Sequence, residues 1–127
     1  MMFTGSTINL MKNALDASSL RQEMISSNLS NVNTPGYKAK RVEFEDVLKQ
    51  TMDGSAMRST HADHFGVSDL SNIKPQIKEQ TGNRINEDGN NVAIDTEMAE
   101  LSANALYYQA LTTQMSNHYS SIRSVLR

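Results

Sequence analysis

The amino-acid sequence predicts a mainly α-helical chain: long amphipathic helices at the two ends packed as a coiled-coil-like pair, with a small irregular, β-containing segment between them. Three features predict it. A sustained heptad stripe occupies the C-terminal end, a weaker one of the same period occupies the N-terminal end, and the middle is rich in glycine, serine, asparagine and aspartate.

The C-terminal stripe runs through Ile94, Met98, Leu101, Ala105, Tyr108, Thr112, Met115, Tyr119, Ile122 and Leu126 in alternating steps of four and three. All but Thr112 are apolar or aromatic, so a continuous helix is expected from about Asp95 almost to the terminus. Asp95 is the expected N-cap. Glu97 and Glu100 place negative charge in the first turns, and Arg123 and Arg127 place positive charge in the last, both complementing the helix dipole.

The N-terminal stripe comprises Ile8, Met11, Leu15, Ser18, Gln22, Ile25, Leu29 and Val32, interrupted at Ser18 and Gln22. A helix is expected over about residues 6–32, with Ser6 or Thr7 as its cap. It must stop before Pro35, which lacks an amide donor and pushes Thr34 towards extended geometry. Thr34-Pro35-Gly36-Tyr37 has proline second and glycine third, as a type II turn requires, because its third residue needs positive φ.

Lys38 to Gln50 reads as a short extended piece leading into about two helical turns. Residues 51–91 hold Gly54, Gly66, Gly82, Gly89 and Pro75 among polar residues. Ile73 with Ile77, and Ile85 with Val92 around the Asp88-Gly89 turn signal, are candidate strands. The chain therefore divides into residues 1–36 as N-terminal helix and turn, 37–93 as a central module and 94–127 as C-terminal helix.

A formal charge of −2 gives no global field to attract nucleic acid. With no cysteine there is no disulfide, thiolate metal site or thiol nucleophile. Eight methionines and no tryptophan favour adaptable helix seams over a rigid pocket. No stretch approaches the roughly 18 to 20 apolar residues that span a bilayer, and no signal-peptide pattern opens the chain. His61 and His64 flank Asp63, but nothing nearby completes a metal site, so a surface role is expected. Glu43, Glu45 and Asp46 lie among Lys38, Lys40, Arg41 and Lys49, which reads as a solvated, partly ion-paired face rather than an acid-base pair. No catalytic, cofactor or metal site is expected.

The segment Ser26-Ser27-Asn28-Leu29-Ser30-Asn31-Val32-Asn33-Thr34-Pro35-Gly36-Tyr37-Lys38-Ala39 resembles the N-terminal signature of flagellar rod, hook and hook-associated proteins. Within that family the short length, Glu87 to Val92, Glu97-Met98-Ala99 and Asn104 to Ala110 look like the proximal rod subunit rather than FlgC, although Tyr107 stands where such relatives often carry arginine. The resemblance implies a structural subunit of the flagellar basal body, not an enzyme, that forms the proximal rod and links the membrane ring and export gate to the drive shaft. It implies export by the flagellar type III system without signal cleavage, and a place in the periplasmic rod. The implied partners are other copies of the chain, the rod proteins FlgC and FlgF, the adapter FliE, the MS ring and the export gate, with no nucleic acid and no small-molecule substrate. A FlgC-like rod subunit and a secreted coiled-coil adaptor are the alternatives.

On this reading the assembly seam consists of Ile8, Met11, Leu15, Ile25, Leu29, Met98, Leu101, Ala105, Tyr108, Met115, Tyr119, Ile122 and Leu126, and the signature turn of Asn31, Asn33, Thr34, Pro35, Gly36 and Tyr37. The apolar burial available to the N-terminal helix falls short of the entropy of ordering it, so the terminal helices are expected to become stable only when neighbouring subunits cover them.

Overall fold

The computed structural model describes residues 2–57, 73–81 and 87–126. Chain order is α1 (Met2–Ser30), β1 (Lys40–Glu43), α2 (Glu45–Met57), β2 (Gln76–Glu79) and α3 (Ile94–Val125). The chain is mainly helical, with long helices at its ends and a small two-stranded sheet between them. His61, His64, Gly66, Gly82, Ile85 and Arg127 lie outside the described residues.

Helix α1 carries Leu10, Leu15, Leu20 and Leu29 with Met11 and Met24, good helix formers that lose little rotamer freedom, among several serines. It begins before the expected cap, so Ser6 and Thr7 sit inside it. Its last turn tightens: Asn31 N donates to both Ser27 O and Asn28 O, and Val32 N donates to Leu29 O. The chain then turns at Thr34-Pro35-Gly36-Tyr37, where Tyr37 N reaches Thr34 O at 3.2 Å and Gly36 takes φ +71°.

β1 pairs antiparallel with β2, Val42 opposite Ile77 and Arg41 opposite Lys78. The strand expected near Ile77 forms, but Val92 is not in a strand. The residues at Asp88-Gly89 instead spend polar groups on the end of α1 and the turn after it. Helix α2 runs well beyond the two turns expected, with Glu45 and Asp46 in its first turn facing the positive end of its dipole. Helix α3 begins one residue before Asp95, its N-cap position is Ala93, and no side chain caps it.

Ala14, Ala17, Val42, Phe44 and Ile73 form the core, with Leu10, Leu20, Met24, Val47, Leu48 and Leu111 packed against it. Phe44, at the junction of β1 and α2, is only 2% exposed. Small alanines on α1 admit β1 and α3 close to the helix axis. Because Ser18 meets Asn104 and Asn28 meets Glu97, α1 and α3 run antiparallel.

Candidate assembly site

The heptad pattern marked two columns on α3; one is exposed throughout and the other is half-buried except at Ile94 and Tyr108. Leu101, Met115 and Ile122 are half-buried. Met98 (47% exposed), Tyr108 (46%), Tyr119 (53%) and Leu126 (80%) are not, and Ala105 and Ile94 are exposed with them. The second inward column is Glu97, Asn104, Leu111 and His118, one residue earlier in sequence. One residue is about 100° of rotation, so the helix turns a mixed polar and apolar face to α1 and leaves an apolar flank outside. On α1, Ile25 is buried, and Ile8, Met11, Leu15 and Leu29 are half-buried. An open groove runs beside this flank, walled by Ser19, Gln22 and Ser26 on α1 and by Ala105 and Tyr108 on α3.

Behind the flank lies a polar clasp that the apolar pattern missed. Asn28 is fully buried, and its Nδ2 donates to Glu97 Oε2 at 3.0 Å and to Lys40 O at 2.9 Å. Its Oδ1 accepts from Lys40 N at 2.8 Å and from the Tyr37 hydroxyl at 3.3 Å. Glu97, also fully buried, takes a bidentate grip from Arg41, Nη1 to Oε2 at 2.9 Å and Nη2 to Oε1 at 2.6 Å. Hydrogen bonding to Glu97, opposed by burial and aided by the charges of Glu97 and Glu100, holds the Arg41 guanidinium above its ordinary pKa. Arg41 is therefore not part of a solvated face, as the charge pattern had suggested. Its neighbours do keep that character, with Arg21 paired to Glu45 at 2.7 Å and Lys78 to Glu43 at 3.1 Å.

A second knot fastens the signature turn. Asn90 is fully buried, and its Nδ2 reaches the carbonyls of Asn31 (2.9 Å), Val32 (3.0 Å) and Thr34 (2.8 Å), while its Oδ1 accepts from Val92 N. These are carbonyls past the end of α1 that no further helical turn can satisfy. Gly36 N donates to Asp88 O, Lys38 Nζ to Gly89 O, and Ala39 N to Asn91 Oδ1, whose Nδ2 donates to Gln80 O. Among the signature residues, Asn31 bonds Ser27 O and accepts from Thr34, and Tyr37 is half-buried at Asn28. Asn33, Thr34, Pro35 and Gly36 are exposed.

Asn28, Arg41, Asn90, Asn91, Glu97 and Asn104 stand in motifs or clusters noted in the sequence, but none was expected as a seam or turn residue. Asn28, Glu97 and Asn104 each stand one residue before a member of the apolar stripes, where apolar periodicity passes over them, and Arg41, Asn90 and Asn91 lie outside the terminal helices. Among the described residues no group of three His, Asp or Glu side chains is placed to hold a metal ion, and no helix is long and apolar enough to cross a membrane.

Two long helices clasped by polar side chains, with an apolar flank left outside, define a structural subunit that works by assembly. The model of the family described as flagella basal body rod protein matches residues 8–38. Over 98% of its length the chain is 37% identical to the flagellar basal body rod protein FlgB of Bacillus subtilis (strain 168), covering 95% of that protein. It is 32% identical to FlgB of Borreliella burgdorferi, over 89% of this chain and 90% of the other. It is 26% identical to FlgB of Escherichia coli (strain K12), over 96% and 94%. The chain belongs to the flagellar basal body rod protein family, on its FlgB branch, and is a structural subunit of the rod.

Proposed function

We propose that this subunit builds the proximal rod by seating the exposed flank of α3, namely Ile94, Met98, Ala105, Tyr108, Tyr119 and Leu126, against helices of neighbouring subunits. The observation that carries the reading is that this flank follows the heptad spacing of a helix seam yet lies outside the chain's own helix pair. The half-buried Ile8, Met11, Leu15 and Leu29 of α1 would complete the seam, with Ile25, Leu101, Met115 and Ile122 supporting it from within the pair. Residues 1–36 and 94–127 form the rod-building part, and residues 37–93 form a module that ties the two ends together.

Family membership supports assembly with other basal body components. The neighbours in this reading are further copies of the chain, FlgC, FlgF, FliE, the MS ring and the export gate. The subunit travels through the flagellar type III system to the periplasmic rod, and it acts without catalysis. Met98→Asp puts a charge on the flank without entering the helix pair, and Ala99→Asp is its neighbour off the flank. Cells carrying Met98→Asp are expected to make the subunit, lack rods and be non-motile, whereas Ala99→Asp cells swim. Normal basal bodies with Met98→Asp would reject the flank as the packing surface.

A further inference from the structure

We propose that Asn104 and Ser18, acting with Glu97 and Asn28, are a register lock that closes α1 and α3 of the same chain in one alignment. Ser18 Oγ donates to Asn104 Oδ1 at 2.9 Å, and Asn104 Nδ2 donates to Ser18 O at 2.9 Å and to Gln22 Oε1 at 3.3 Å. Ser18 is 0% and Asn104 5% exposed, at the floor of the open groove between the two helices, so each depends chiefly on the other for its hydrogen bonds.

A lock is needed because the apolar contacts do not set the alignment. The apolar stripe residues that α3 turns inward, Leu101, Met115 and Ile122, are spaced by multiples of seven, as are Ile8, Leu15 and Leu29 on α1, so a slide of about seven residues still lays several of them on apolar residues. The polar contacts remove that degeneracy. In the observed antiparallel alignment Asn104 faces Ser18 and Glu97 faces Asn28. A one-heptad slip sets Asn104 against Met11 or Ile25, whose side chains offer its buried amide no hydrogen bond of comparable strength. The same slips set Glu97 against Arg21 or Pro35. In the first it exchanges the bidentate grip of Arg41, which strand β1 holds in place, and the amide of Asn28 for Arg21, which Glu45 already engages, and in the second it runs past the end of α1. Both contacts are satisfied together in one register.

The consequence is a division of labour on α3. Polar residues choose the partner helix within the chain, and the apolar flank stays free without drawing the pair into a different alignment. A buried asparagine that fixes alignment at some cost in stability is the physical logic of coiled-coil specificity.

The test uses the full chain, which has no cysteine of its own. Cysteines placed at the exposed Asp16 and Gln109 carry spin labels, and labelled chain is diluted with unlabelled chain so that only distances within one molecule are read. The parent is expected to give one narrow distance. Asn104→Leu is expected to keep its helix content and thermal midpoint yet show a second distance, displaced by up to about 10 Å, one heptad at the helical rise. Ser18→Ala combined with Asn104→Leu leaves neither side chain of the pair unsatisfied and is expected to do the same. A single unmoved distance in both variants overturns the lock. So does a broad distribution in the parent, or loss of helix content in both variants, which would make the contact a stability element instead.

Discussion

Arg41 on β1 and Glu97 on α3 lie 56 residues apart in sequence and form a bidentate ion pair, with Nη2 to Oε1 at 2.6 Å and the carboxylate fully buried. Asn28 of α1 donates to the same carboxylate, so three elements meet on one side chain. A buried pair of this kind contributes little over an apolar replacement, but losing one member strands the other charge.

Arg41→Met is therefore expected to cost about 3 kcal/mol, read from urea unfolding. Arg41→Met with Glu97→Leu is expected to recover most of that loss, because no charge is left buried. A double variant as unstable as Arg41→Met would mean that the pair stabilises the fold outright.

Asn90→Asp keeps the shape of the side chain and removes its donors, turning a carboxylate towards the carbonyls of Asn31, Val32 and Thr34. A loss of at least about 3 kcal/mol at neutral pH is expected. The introduced acid should have a raised folded-state pKa, so the deficit relative to the parent should shrink as pH falls and the acid becomes protonated. Thermal melts at neutral and mildly acidic pH read both effects, and a deficit independent of pH would argue against the placement of Asn90.

Gly36 sits at φ +71° with open space around the position a Cβ would take. Gly36→Val is thus strained by its backbone and not by a clash, at a cost on the order of 1–3 kcal/mol. Gly36→Asn, which tolerates positive φ better, is expected to recover part of it. Equal melting temperatures for the valine and glycine forms would contradict the turn assignment.

Tyr107 has its phenol pushed above the usual 10.0 by burial first and by the nearby Glu45 second, with Arg21 opposing. A raised folded-state pKa contributes stability that is fully present below the unfolded value and is lost as pH rises through the folded one. Stability is expected to fall from about pH 10 upward, and Tyr107→Phe is expected to fall less steeply over that window. Identical alkaline profiles for the two forms would remove Tyr107 from the account.

Local physics determined much of this protein. The heptad period predicted both terminal helices, Pro35 ended the first, and Gly36 in third place gave the turn that follows. The antiparallel β pairing was harder to read, because its strands are short, β2 is exposed throughout, and their register depends on a partner far along the chain. Which face of α3 turns inward was decided by tertiary structure alone. Apolar spacing favoured the column of Met98, Ala105 and Tyr119, whereas the chain turns in Glu97 and Asn104, because Arg41, Asn28 and Ser18 wait there to satisfy them. A polar side chain becomes an inward residue only when distant parts of the chain supply its partners, and a periodicity that counts methyl groups cannot see those partners.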